Sequence, residues 1–205
     1  MKKREGAAGK AAGRKVGAGS ATEGAKARPG RAAGKKVADA KPEKYKMKEK
    51  LLAIGDDFWI ETESGRKAFK VDGKLLSVRD KLSFEDNNGH ELAFIRSQFF
   101  SVRDRIGIER VGGSSAQLKK DLIDIVHDHF TLEFDDGDEI DVRGNILDHE
   151  YTFRQGNKKI GEVSKKWFRI ADSYGVEVDG GEDHIMFLAA CVALDQSAHD
   201  GPIDV

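Results

Sequence analysis

Apolar and polar positions alternate along "SVRDKLSFEDNNG" (77–89), with Val78, Leu82 and Phe84 set against Arg79, Lys81 and Glu85. The same alternation returns further on, with Val126, Phe130 and Leu132 against His127, His129 and Glu133. A period of two belongs to a strand with one face buried. Between such stretches lie "EDNNGH", "RVGGSS", "FDDGDE" and "RQGNKK", each next to a second short alternating run such as "ELAFIR" or "EIDVRG". A strand, an Asn/Asp/Gly-rich turn and a second strand make the signature of a hairpin.

The hairpins repeat. Asp56, Asp80, Asp104 and Asp128 recur at intervals of 24, and the series continues with His149 in "LDHEYTFR" and Asp172 in "IADSYGVE". An apolar pair stands five and four residues before the anchor at Leu51-Leu52, Leu75-Leu76, Phe99-Phe100 and Trp167-Phe168, and Ile123-Asp124 half keeps it. Glycine follows nine residues after it at Gly65, Gly89, Gly113 and Gly137. Each unit has room for two strands of about six residues, so six units predict about twelve strands. The Asp side chain suits a bend, where it can accept from nearby backbone N–H groups.

The pattern then changes. From Ile185 to Leu194 every residue is apolar, and Glu182 and Asp183 precede this run, where acids favour a helix start. A helix over about 183–195 is predicted. A helix apolar on all sides must be surrounded, and ten residues are too few to cross a bilayer. The expected fold is mainly β, a closed antiparallel barrel of about twelve strands, made of six hairpin-like repeats, enclosing a hydrophobic C-terminal α-helix. A parallel solenoid shares the period, but the turns look like tight reversals and a capping helix would keep a polar face. Leucine-rich repeats need spaced leucines that the chain lacks.

Charge separates a tail from this domain. Residues 1–50 hold 16 Lys and Arg against five acids, whereas residues 51–205 hold 19 basic and 31 acidic residues. The overall charge of −1 therefore conceals a basic segment of +11 and an acidic remainder of −12. Poor in large apolar residues and interrupted by glycine, residues 1–46 are expected to be a disordered Lys/Ala/Gly-rich tail. The domain is placed at 47–197 and a flexible C-terminus at 198–205. A start of the functional chain at Met47 would remove the tail. No apolar run follows the basic start, and none reaches 18 residues, so neither a signal peptide nor a membrane span is expected. The single Cys191 excludes an intrachain disulfide and fits a cytoplasmic setting.

Three strings carry a resemblance. "YKMKEKLLAIGDDFWIE" (45–61), "GNILDHEYTF" (144–153) and "SKKWFRIADSYGVEV" (164–178) resemble the LURP-one-related family, which belongs with the tubby C-terminal and phospholipid scramblase-like folds. The resemblance spans about 47–197 and implies a twelve-stranded antiparallel barrel threaded by a hydrophobic helix. Relatives of this kind imply phosphoinositide binding or membrane tethering. No lipid-contacting motif matches residue by residue.

Other chemistry finds little support in the residues. His127 and His129 fall on outward strand positions, and His149 stands in the anchor position, so zinc ligation is not expected. "DDGDE" (135–139) lacks the later glutamate of a calcium loop and reads as a charged hairpin tip. Cys191 has no basic neighbour and reads as a small buried hydrophobe. No serine lies in a nucleophile elbow, and the tail's glycines have no strand before or helix after them to make a phosphate loop, so neither enzyme nor cofactor is expected. An enzyme whose pocket opens at a barrel end is a further possibility.

The expected function is that of a non-enzymatic, lipid- or phosphoinositide-associated or protein-interaction module, peripheral to a membrane. Its candidate anion contacts are Lys2, Lys3, Arg4, Arg14, Lys15, Arg28, Arg31, Lys35 and Lys36. Flexible cations attract any polyanion, so tethering to nucleic acid through the same residues is the alternative.

Overall fold

The structure is a computed structural model and describes residues 40–48, 57–73, 81–97, 105–121, 128–168 and 172–199. Its strands are β1 (Glu43–Lys48), β2 (Phe58–Thr62), β3 (Lys67–Asp72), β4 (Lys81–Glu85), β5 (Glu91–Ser97), β6 (Arg105–Arg110), β7 (Ala116–Lys120), β8 (Asp128–Phe134), β9 (Glu139–Asn145), β10 (Glu150–Gln155), β11 (Lys158–Ser164) and β12 (Ser173–Val178). Each pairs antiparallel with the next, and β1 pairs with β12 from Glu43 opposite Val178 to Lys48 opposite Ser173. The sheet is thus a closed barrel without an edge, the arrangement that the tight turns require and a parallel solenoid does not.

Alternate residues point inward. Met47, Ile60, Val71, Leu82, Phe84, Ile95, Ile108, Leu132, Val142, Phe153 and Val176 are wholly buried. They surround helix α1 (His184–His199), in which every residue from Met186 to Leu194 is at most 2 % exposed. The helix runs to His199, past the predicted end at 195 and into the expected C-terminal tail. No helix among the described residues is long and apolar enough to cross a membrane.

Both packing and polar contacts fix the helix. Phe187 reaches the wall at Gly161, where a Cβ would lie 2.7 Å from its ring. At the entrance, Asp183 Oδ1 accepts from the Ile185 and Met186 N–H groups at 3.1 and 3.2 Å. Its Oδ2 accepts from Arg110 Nε at 3.2 Å, while Arg110 Nη1 donates to the Leu92 and Val111 carbonyls at 2.8 and 2.7 Å. One carboxylate thus caps the helix and ties it to the rim of β5 and β6.

The two ends of the barrel differ. Short hairpin turns gather at the end where α1 enters, and the described anchors, Asp128, His149 and Asp172, belong to the opposite end. His149 and Asp172 adopt left-handed backbone, with φ of 53° and 60°, a region that Asp and His tolerate better than most residues. Asp128 instead opens β8, and its Oδ2 accepts from the Ile146 N–H at 3.3 Å in the next connection. Asp56, Asp80, Asp104 and the pairs at 51–52, 75–76, 99–100 and 123–124 lie outside the described residues. Gly65, Gly89 and Gly137 hold the left-handed turn positions, but Gly112, not Gly113, does so between β6 and β7.

The boundary expected between residues 46 and 47 falls inside β1. Glu43–Lys46 are strand because "EKYKMK" alternates: Tyr45 and Met47 enter the core at 5 % and 0 % exposure while lysines face out. Lysine-rich composition disguised this pattern as tail.

Candidate functional site

The outer side of β1 presents Lys44, Lys46 and Lys48 in a row. On β12 these stand opposite Glu177, Gly175 and Ser173, and Lys46 also stands opposite Glu61 on β2. Lys44 Nζ lies 3.4 Å from Glu177 Oε2, and Lys46 Nζ lies 2.5 Å from Glu61 Oε2. Lys48 is exposed. These are surface pairs of small net strength, so the ammonium groups can exchange a carboxylate for another anion at little cost.

A tryptophan flanks the row on each side. Trp59 projects from β2, with Lys67 Nζ 4.3 Å above its ring. Trp167 ends a short 3₁₀ turn, Lys165–Trp167, whose start is capped by Ser164 Oγ accepting from the Lys166 N–H at 3.2 Å. Together with Phe168 it lies across the outside of β12 on Gly175, where a Cβ would be 2.8 Å from the indole and 2.9 Å from the Phe168 ring. Lys44 Nζ lies 4.9 Å from the Trp167 ring centroid. Both tryptophans of the chain are half-buried on this wall, whereas all three tyrosines are inside the barrel. Beyond Trp59 the wall turns acidic: Lys70 is held by Asp57 and Asp72 at 3.1 and 3.3 Å.

The basic segment joins the barrel at this wall. Ala40 packs on Gly180, leaving no room there for a side chain. Tyr45 donates to Glu43 Oε2 at 2.7 Å and meets His184 Nδ1 at 2.9 Å, while His184 Nε2 reaches the Asp179 carbonyl at 3.2 Å. Burial, reinforced by Glu43, pushes the Tyr45 phenol well above its ordinary range. The root of the segment is therefore anchored to the start of α1. The nine predicted contacts, Lys2 to Lys36, lie outside the described residues, and sequence reasoning missed Lys44, Lys46, Lys48, Trp59 and Trp167. The alternation of "KYKMK" was the available signal.

The remaining candidates serve architecture. His129 is on the outer wall as expected, with Nε2 3.1 Å from Asp141 Oδ1 and Nδ1 3.4 Å from Asp121 Oδ2. His127 lies outside the described residues. Asp136 closes the tip at 135–139 by accepting from the Asp138 N–H at 3.1 Å and from Ser114 Oγ at 3.0 Å. Among the described residues no group of three or more His, Cys, Asp or Glu could hold a metal ion. Inside, His149, Tyr151, Tyr174, Cys191 and Asp195 form a polar cluster at the far end of α1. Burial pushes both phenols and the thiol far up, reinforced by neighbouring groups for the phenols and partly offset for the thiol by its contact with Tyr151, so all three stay protonated. With its thiol and phenols buried and protonated, the cluster joins the helix to the surrounding strands.

Twelve antiparallel strands closed on themselves around an apolar C-terminal helix define the class of protein. The LURP-one-related family model matches residues 43–195, and the chain belongs to that family. The fold is similar to that of an Arabidopsis thaliana protein solved by X-ray crystallography, with a TM-score of 0.53, 19 % identity, and coverage of 78 % of this chain and 93 % of the other. At that identity the likeness concerns fold alone. No curated protein matches the chain.

Proposed function

We propose that this protein is a non-enzymatic module that attaches peripherally to anionic phospholipid surfaces, phosphoinositide-bearing ones included. One observation carries the reading: the basic segment runs without a break into β1, so its charge continues as Lys44, Lys46 and Lys48 on a wall bordered by two tryptophans. Residues 1–50, at +11 with the lysines of β1 included, supply long-range attraction, with clustered cations near a bilayer each contributing on the order of 1 kcal/mol. The barrel supplies a rigid body of opposite charge whose acidic sides are repelled by the same surface.

Flotation with phosphatidylcholine vesicles, with and without phosphatidylserine or a phosphoinositide, tests this over a salt series. The full chain floats with the anionic vesicles and releases as salt rises. A chain beginning at Ala40 retains β1 and binds more weakly. Equal flotation with neutral vesicles, or none with any vesicle, overturns the reading. Gel shifts with duplex DNA in the same buffers stronger than vesicle binding would favour attachment to nucleic acid instead.

A further inference from the structure

The outer wall gives this attachment a direction. We infer that the bilayer-facing side of the barrel is the wall of β12, β1 and β2, with the indoles of Trp59 and Trp167 entering the headgroup region and Lys44, Lys46 and Lys48 reaching lipid phosphate. The inference rests on the reading above and goes further by assigning the face and the contact chemistry.

Charge favours this face. The outward residues of β1, β2 and β12 with residues 40–42 and 165–168 set six lysines, 41, 44, 46, 48, 165 and 166, against three acids, Glu43, Glu61 and Glu177. On the opposite wall Asp121, Glu133, Glu139 and Asp141 outnumber Lys119 and Arg143, and the hairpin tips carry Asp86, Asp135, Asp136 and Asp138. An anionic surface is attracted most strongly to the side where lysines outnumber acids.

The aromatic residues agree with the charge by an independent route. Tryptophan favours the boundary between water and hydrocarbon because its ring is apolar and its N–H needs a polar partner. Among the described residues neither indole N–H has a hydrogen-bond partner in the protein, and both rings lie on the cationic wall. They sit on either side of β1, Trp59 on β2 and Trp167 in the turn that lies over β12. The lysine over each ring has a flexible stem, so its ammonium can move to a phosphate while the indole turns to lipid. The point where the basic segment enters, at Ala40, lies at the head of the same strand, so the segment and the wall engage one surface together.

Intrinsic fluorescence tests the assignment in the full chain, because only Trp59 and Trp167 contribute indole emission. With phosphatidylserine vesicles the emission shifts to the blue, and lipids brominated near the headgroup quench it. Trp59→Phe and Trp167→Phe each leave a single quenched reporter. K44Q/K46Q/K48Q, with an unchanged circular-dichroism melt, weakens vesicle binding on the order of 100-fold. Soluble inositol phosphate at matched phosphate leaves the emission unshifted, which separates a bilayer from a free headgroup. Vesicle flotation with neither indole shifted nor quenched overturns the assigned face while leaving peripheral attachment intact. Failure to float at all refutes the attachment itself.

Discussion

Tyr174 donates a 2.6 Å hydrogen bond to Asp195 Oδ2 inside the barrel, joining the last strand to the final turns of the central helix. The tyrosine is 0 % and the aspartate 2 % exposed, so the bond is shielded from competing water. His149 completes the contact, its ring centroid 4.1 Å from that of Tyr174 and its Nε2 3.6 Å from Asp195 Oδ1. Tyr174→Phe should cost about 1–3 kcal/mol, because it leaves a buried carboxyl oxygen without its donor. Asp195→Ala takes the acceptor from the buried Tyr174 hydroxyl and removes the carboxyl beside His149, and should cost about 2–4 kcal/mol. Urea denaturation measures both, and a loss below ~0.5 kcal/mol for each would show the cluster to be dispensable.

Gly161 should not tolerate a methyl group. The ring of Phe187, itself 2 % exposed, lies 2.7 Å from where the Cβ would go, and the Glu177 carbonyl lies 3.0 Å away. Gly161→Ala should destabilise by about 1–3 kcal/mol through overpacking. Combining it with Phe187→Leu should recover part of that loss, because the two changes share one contact. Strict additivity in the urea midpoints would count against the contact.

The start of the domain is testable by truncation. A chain beginning at Met47 lacks Glu43–Lys46, four of the six β1 residues that pair with β12. It leaves β12 and β2 as open edges and should melt without a cooperative transition, or aggregate. A chain beginning at Ala40 keeps every pair and should melt within a few degrees of the full protein. Equal, cooperative melting of the Met47 chain would show β1 to be unnecessary for closure.

Alkaline pH should weaken the fold. Burial raises Cys191, Tyr151 and Tyr174 above their unfolded values, so the folded state holds these protons longer than the unfolded chain does. Their contribution is complete below the unfolded thiol value of about 9.0 and is lost as pH climbs through the interval up to the folded values. The urea midpoint should be level near pH 7–8 and decline from about pH 9, with a shallower decline in Cys191→Ala. A thiol reagent should label Cys191 only in denaturant. Rapid labelling of the native protein would contradict its burial.

The barrel was legible because its physics is local and periodic. Alternation fixed the strand faces, glycine marked the reversals, and the greasy run at 185–194 needed shelter that only a closed sheet could offer. Contacts between distant residues left no comparable mark. His149 and Asp195 are 46 residues apart, and each alone reads as an ordinary polar residue. The lysine row of β1 was hidden differently, since a strand whose outward residues are all lysine looks like the end of a basic tail. Trp167 entered the reading as half of an apolar pair, and only Gly175 beneath it on β12 shows that the pair lies outside the wall.

The helix that fills the barrel is the last described element of the chain, so what fills the interior is synthesised after the strands that surround it. Until α1 emerges, the strands have only one another, with a broad greasy face turned to water. Closure also joins β1 to β12 across more than a hundred residues, which puts folding among the slower, non-local topologies. A chain synthesised only as far as Val178 would hold all twelve strands and nothing to fill them.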